Sequence, residues 1–340
     1  MGSGAMGSGA MGTEAWFCLD DATRVGTVRR TATELASVLG LAANQGANLA
    51  IIATELATNL VKHASDGVMH VRPVRDADTA GVQVVSIDSG PGMTDVARSQ
   101  VDGQSTAGTL GIGLGAVARL SDRCEVYSAP GRGTIIVAEV WGGPPAARAW
   151  AAGITRPLSG ETVSGDGFAH RVRGDRYQVM VCDGLGHGPL AAAASHAAFG
   201  AFHAAPPGSP AEVVRHLNAA MGHTRGAAVA VAEIDPEAAA VKLCGLGNIA
   251  STVVSGGQRR GMVSMPGIAG HHRSGLREFG YPFPGGAVLV MHSDGVSGRW
   301  DLDGYPGLAS KGPLVLAAIV LRDAGIRRDD ACVLAARGVS

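Results

Sequence analysis

From Ala22 to Ala64 apolar residues recur at three- and four-residue steps. Leu49, Ile52, Leu56 and Leu60 form one stripe, which predicts two amphipathic helices broken near Gly40. The period then shortens. VMHVRPV from Val68, VQVVSID from Val82, RCEVYSA and GTIIVAEVW read as strands, with a Gly/Ser/Thr-rich stretch and a helix over about Gly113 to Leu120 in the middle. Helices and strands are segregated along this half, so the expected fold is an α+β sandwich rather than a βαβ alternation.

GGPPAARAWA, residues 142–151, suits neither element and reads as a linker. Beyond it the pattern predicts strands around Thr162 to Val172 and Tyr177 to Cys182, and helices from Pro189 to Ala204 and Pro210 to Met221. Five β-type runs follow (AAVAVAEID, AAVKLCGLG, STVVSG, GMVSMPG and AVLVMHSDG), then a helix from Leu314 to Ala324 and a last strand, ACVLAA. DPE between the first two of those runs reads as a hairpin turn. Many strands with an inserted helix pair imply two sheets sandwiched between helices. The expected domains are 13–141 and 152–340. MGSGAMGSGAMG, residues 1–12, reads as an expression-tag remnant, with the natural chain expected to begin near Thr13.

Composition fits two cores: 340 residues, 46% hydrophobic and 17% charged. Twenty-eight Lys and Arg against 29 Asp and Glu leave a net charge of -1, too little for a broad field that would hold nucleic acid or anionic lipid. No apolar run is long enough to span a membrane, and no signal peptide is visible, so a cytoplasmic protein is expected. Cys18, Cys124, Cys182, Cys244 and Cys332 are scattered and read as buried thiols. Any phosphate chemistry must therefore be local.

Two constellations offer it. In ATELATNLVKHA, Glu55 and Asn59 lie four residues apart on one helix face, with Lys62 and His63 a turn further on. Asp88-Ser89-Gly90-Pro91-Gly92 places a carboxylate at a strand end and glycines where backbone must approach a ligand. The run from Ser105 to Gly115, with Gly108, Gly111, Gly113 and Gly115, leads into a helix N-terminus, a cradle for phosphate. Gly131-Arg132-Gly133-Thr134 precedes a strand. In this order the four segments resemble the boxes of the GHKL ATPase superfamily, and ELATNLVKHA with GLGAVARLSD is most similar to the RsbT/RsbW serine-protein kinases of bacterial partner switching. The resemblance implies ATP and Mg²⁺ as cofactors, with Asn59 holding the metal and Glu55 acting as general base toward a serine hydroxyl. It also implies that Asp88 accepts the adenine amino group, that Gly90 and Gly92 let the backbone pass the base, that Gly108, Gly111, Gly113 and Gly115 form the lid and phosphate cradle, and that Thr134 belongs to the nucleotide site. Lys62 and His63 are equally readable as ligands or as a solvated face.

The second constellation is acidic. Val181-Cys182-Asp183-Gly184-Leu185-Gly186-His187-Gly188 ends an apolar strand with an aspartate before a glycine-rich turn into a helix. Met291-His292-Ser293-Asp294-Gly295 repeats the arrangement, and Asp166 and the pair Asp329-Asp330 supply further strand-end carboxylates. Hard divalent ions take such oxygen ligands, and two ions about 3.5–4 Å apart can share and acidify a water. The order SGD, DGLGHG, GLGN, SDG, DD resembles PPM-type protein phosphatases of the SpoIIE/RsbX branch. That resemblance implies two Mn²⁺ or Mg²⁺ ions on Asp166, Asp183, Asp294, Asp329 and the Gly184 carbonyl, with Asp330 binding through water. His187 either touches the phosphate or leaving group, or simply packs in its turn. Asn248, in GLGN, belongs to a family turn near the substrate.

Together the two resemblances imply a bifunctional partner-switching regulator: a metal-dependent serine/threonine phosphatase and an ATP-dependent serine-protein kinase acting on a STAS-domain phosphoprotein. Two other readings use the same residues. The first half is then a non-catalytic ATP-dependent binding module, or the whole chain sequesters its partner on vestigial sites.

Overall fold

The computed structural model describes residues 14–76, 79–96, 113–144, 149–273 and 275–338. They divide into two units, one drawing on Ala10–Ala147 and Gly304–Lys311, the other on Arg148–Asp303 and Gly312–Ser340.

In the first unit the four predicted strands, β2 (Val68–Asp76), β3 (Thr79–Asp88), β4 (Arg123–Ser128) and β5 (Thr134–Trp141), pair antiparallel into one sheet with a fifth that the pattern does not predict, β1 (Ala15–Cys18), in the order β1-β2-β3-β5-β4. Helices α1 (Thr23–Val38), α2 (Ala43–His63) and α3 (Gly113–Leu120) complete the unit. The apolar stripe of α2 is fully buried at Leu49, Ile52 and Leu56, in one core with Met69, Val71, Val82, Val84 and Ile136. The start of α2 is pinned by Gln45, whose Oε1 accepts the Ala42 N–H at 2.8 Å and whose amide donates to the Trp141 carbonyl at 2.6 Å. Across the sheet runs a polar row: Arg72 donates to Gln83 (2.8 Å) and Gln83 to Glu139 (2.6 Å). This row satisfies groups that would otherwise be buried unpaired.

The second unit contains two five-stranded sheets. One has the order β13-β10-β9-β8-β7, the other β12-β11-β14-β15-β6. Their strands are β6 (Ala151–Arg156), β7 (Asp166–Arg173), β8 (Arg176–Gly184), β9 (Ala227–Asp235), β10 (Ala240–Leu246), β11 (Ala250–Ser255), β12 (Gln258–Met262), β13 (Phe279–Pro282), β14 (Val288–His292) and β15 (Ala331–Arg337). Phe168, Val181, Ala230, Leu243, Leu289, Met291 and Leu334 fill the space between the sheets. Helices α4 (Gly188–Ala204) and α5 (Pro210–Ala220) bury Ala198, Phe202 and Leu217 against the outer face of the first sheet, and α6 (Pro313–Ala324) packs over β15 and β6. Arg171 repeats the polar row of the first unit, donating to Gln178, which donates to Glu233 at 2.7 Å. No described helix is long and apolar enough to cross a membrane.

Four sequence expectations need correction. Strand β6 begins at Ala151 and Trp150 packs on the second core, so structure starts inside the Pro/Gly-rich run. The strand expected at GMVSMPG is instead β12, which stops at Met262, because Gly256 and Gly257 (φ 56° and 75°) close a two-residue hairpin that pairs Ser255 with Gln258. Strand β13 was not expected. Cys18 is exposed on edge strand β1 and Cys124 is half-buried, and only Cys182, Cys244 and Cys332 are buried.

Candidate functional site

On the first unit, α2 presents Glu55 and Asn59 toward the start of α3. A Cβ placed on Gly113 would stand 2.8 Å from Glu55 Oε2 and 3.8 Å from Asn59 Nδ2, so the helix N-terminus and both side chains share one space. Asp88 ends β3 directly opposite Thr134, the first residue of β5. Its Oδ1 accepts the Gly90 N–H at 2.7 Å, and Thr134 Oγ1 lies 2.9 Å from the Ser128 hydroxyl. Gly92, at φ 68°, leaves no room for a side chain, since a Cβ would strike the Ala129 carbonyl; one on Gly133 would strike the carbonyl of Asp88. Lys62 and His63 are exposed on the last turn of α2. Gly115 lies buried in α3, whereas Gly108 and Gly111 fall outside the described residues.

In the second unit the carboxylates come from the ends of both sheets. Asp166 opens β7 and faces Asp183 across the β7–β8 pair. Like charges directly opposite in a sheet repel. Asp294 follows β14 and Asp329 and Asp330 precede β15. Asp183 is held up at about 7, chiefly by burial, then by the charges of Asp294 and Asp329; it shares hydrogen bonds with Asp166 and Asp294. A contact between two carboxyl groups requires a proton or a cation between the oxygens. Asp166 lies well above the usual carboxylate range, first through burial and then through the Asp183 charge, although the Ser293 hydroxyl opposes the shift by hydrogen bonding to it. Its Oδ2 is buried with no hydrogen-bond partner. Among the described residues no trio of His, Cys, Asp or Glu forms a ready-made cage for a metal ion. A hard ion that binds through one or two carboxylates and keeps its other waters needs no such cage, and the orphaned Asp166 oxygen and the crowded negative charge fit it.

The loops hold this arrangement tightly. A Cβ on Gly184 would collide with the Ala191 carbonyl and one on Gly295 with the Asp330 carbonyl, so glycine is required after both aspartates. Asp330, expected to bind through water, accepts the Leu158 N–H at 2.7 Å and the Gly165 N–H at 2.9 Å, and so anchors the 157–165 loop. His187 is exposed at the N-cap of α4, with Nδ1 3.0 Å from Glu161 Oε1; it does not pack into its turn. Asn248 donates to Asp294 Oδ2 at 2.7 Å, which gives the GLGN asparagine a definite partner. Ser293 and Glu161 were missed. Ser293 was legible in SDG, but nothing in the sequence places Glu161, 26 residues before His187, beside it.

Comparison with known proteins matches residues 18–139 to the histidine kinase-like ATPase domain and residues 173–338 to stage II sporulation protein E (SpoIIE). The chain joins a histidine kinase-like ATPase domain to a SpoIIE phosphatase-type domain. Over 113 residues it is 34% identical to the serine/threonine-protein kinase RsbT of Bacillus subtilis (strain 168), a match that takes in 33% of this chain and 85% of RsbT, and the ATPase half belongs to that family. A chain solved in work on the bacterial stressosome as a modular system adapted to control secondary messenger signalling is 25% identical, with a TM-score of 0.50 over 55% of this chain and 98% of its own. RsbX in complex with magnesium is 21% identical, with a TM-score of 0.44 over 55% of this chain and 94% of its own. All five strand-end aspartates lie within or just before the segment matched to SpoIIE.

Proposed function

We propose that the second unit is a divalent-metal-dependent phosphoprotein phosphatase and that the first binds Mg·ATP and phosphorylates the same class of protein, a serine or threonine on a STAS-domain partner. The observation that carries the phosphatase reading is the meeting of Asp166, Asp183, Asp294 and Asp329 at the ends of two sheets, with one Asp166 oxygen buried and unpartnered. These four carboxylates and the Gly184 carbonyl would hold two Mn²⁺ or Mg²⁺ ions. When bound, the ions would supply charge neutralisation at the phosphoryl group and an acidified water. The chain's own residues do the rest. Asn248 fixes Asp294 in place, and Ser293 does the same for Asp166. Glu161 holds His187 through Nδ1, and His187 would supply the proton to the departing seryl oxygen.

In the ATPase domain Asn59 would hold Mg²⁺, Glu55 would accept the proton of the attacking serine hydroxyl, and Asp88 would accept the adenine amino group. Support for this comes from the common space shared by Glu55, Asn59 and Gly113, and from the RsbT-type sequence. The stressosome and RsbT relatives support a STAS partner. The test is hydrolysis of p-nitrophenyl phosphate with Mn²⁺. Metal-dependent release that is absent from Asp183→Asn supports the reading. Release that persists in that variant, or that needs no metal, overturns it.

A further inference from the structure

The DGLGHG turn begins at Asp183 and is exposed at Leu185, Gly186 and His187, so the neighbours of a phosphoserine held at Asp183 meet the residues around that turn. Three segments lie there. Leu185 donates its N–H to the Gly226 carbonyl (3.1 Å), which ties the turn to residues 225–226. Gly226 in turn abuts residues 268–271: a Cβ there would lie 2.5 Å from Ile268 Cγ2 and 2.7 Å from the Ala269 carbonyl, and Ala227 and Ala269 exchange backbone hydrogen bonds. Beside Gly186 stands Arg225, with Nη1 3.4 Å from where a Cβ on that glycine would be.

The chemistry of this rim is specific. Leu185 and Ile268 are each 38% exposed, among the few large apolar side chains of the described residues that face solvent. Arg225 is exposed as well, and it places a positive charge next to a site that otherwise gathers negative charge. A phosphoryl dianion meets repulsion from the aspartates and attraction from this guanidinium. Apolar neighbours of the phosphoserine would cover Leu185 and Ile268, which no described part of the chain covers fully.

We propose that Leu185, Ile268 and Arg225 form a substrate-reading rim, and that its occupant is a protein segment in which the phosphoserine is flanked by aliphatic residues. Arg225 meets the phosphoryl charge, and the two aliphatic side chains select the neighbours. This rests on the phosphatase reading for the identity of the phosphorylated residue, but it makes a separate claim about sequence preference.

The test uses two fluorescein-labelled phosphoserine peptides, one with leucine and valine on either side of the phosphoserine and one with serine and glycine. Binding is read by anisotropy on the full chain carrying Asp183→Asn, in EDTA, which needs no turnover. The aliphatic peptide is expected to bind about tenfold more tightly, the scale of one modest apolar contact. Adding Ile268→Ser or Leu185→Ser should remove the preference, Ile268→Leu should keep it, and Arg225→Gln should weaken both peptides alike. With Mn²⁺ and an intact Asp183, the ratio of peptide to p-nitrophenyl phosphate kcat/KM should fall about tenfold in Ile268→Ser. Equal binding of the two peptides, or a preference that survives both serine substitutions, overturns the rim. If the unchanged protein hydrolyses neither substrate, the phosphatase reading fails, and the binding measurement still decides the rim.

Discussion

Replacing Asp183 by asparagine should stabilise the metal-free protein while abolishing its use of metal. Asp183 is raised from 3.8 to about 7, with burial first and the Asp294 and Asp329 charges after it. The sign follows from linkage. Below about pH 4 the group is protonated in both the folded and the unfolded chain and costs nothing; between about 4 and 7 the unfolded chain ionises and the folded one does not, so stability falls as pH rises. Above 7 the full cost is present. A shift of about three units sets a ceiling near 4 kcal/mol, and the partial exposure of Asp183 reduces this to about 1–2 kcal/mol. Asparagine keeps the shape, carries no charge, and offers an N–H₂ donor to Asp166 and Asp294. The assay is hydrogen exchange of peptides covering β8, beside urea melts, in EDTA at pH 5 and pH 8. Asp183→Asn should protect β8 more than wild type at pH 8 and by a clearly smaller margin at pH 5, where wild type has met only the first part of the cost. Addition of Mg²⁺ or Mn²⁺ should reverse the order, because a ligand that binds only the folded state stabilises wild type alone. A variant less stable than wild type at pH 8 in EDTA would refute the electrostatic account of the site.

Asn59→Ala should abolish Mg-dependent ATP binding, read by a fluorescent nucleotide, and leave metal-dependent phosphate release intact; loss of both would sink the two-site reading. Glu55→Gln should retain nucleotide binding within about threefold but lower transfer to a STAS partner by about 10²–10⁴; unchanged transfer would leave Glu55 outside the chemistry. Asn248→Ala removes the donor on Asp294 Oδ2 and should weaken metal activation about 10- to 100-fold, as supporting residues of metal sites do, with unfolding midpoints in EDTA nearly unchanged. Leu217→Ala, in the fully buried contact of α5 with its sheet, should cost about 2–5 kcal/mol in the second unit alone, seen as a shift in only one of two unfolding transitions.

How much of this could be read in advance depended on how each signal is encoded. The α2 stripe and the apolar runs of β3, β5, β8, β9 and β14 are local and strong, and they lie where the periodicity placed them. Strand β6 carries no such signal. AAGITR is built from small residues because Gly153 must pass under the Val333 carbonyl and the Phe168 ring, and that requirement comes from strands 15 and 180 residues away. Strand β12 is within reach of the sequence: Ser255-Gly256-Gly257-Gln258 is a two-glycine hairpin signal, and it fixes the register ahead of the apolar residues that follow. Cys18 lies beside the apolar Trp16 and Phe17, yet it is exposed on edge strand β1, which is paired on one flank only.

The acidic site divides in the same way. Each aspartate sits at the end of an apolar strand and before a glycine, and that pattern is local, so Asp166, Asp183, Asp294 and Asp329 could be singled out one by one. Whether they meet is a matter of topology, since β7 and β8 belong to one sheet and β14 and β15 to the other. The partners that tune them are more remote still. Asp330 reads as one more ligand of the set, yet its two oxygens are occupied by amides of residues 158 and 165, a distinction that only tertiary structure makes. The same holds for Glu161 beside His187 and for Arg225 beside Gly186. A site of this kind gathers like charge at the mouth of a rigid sandwich and is stable only with compensation. Its strongest acids can therefore be found from sequence, while the groups that set its protonation and its choice of substrate come from loops whose positions depend on the completed fold.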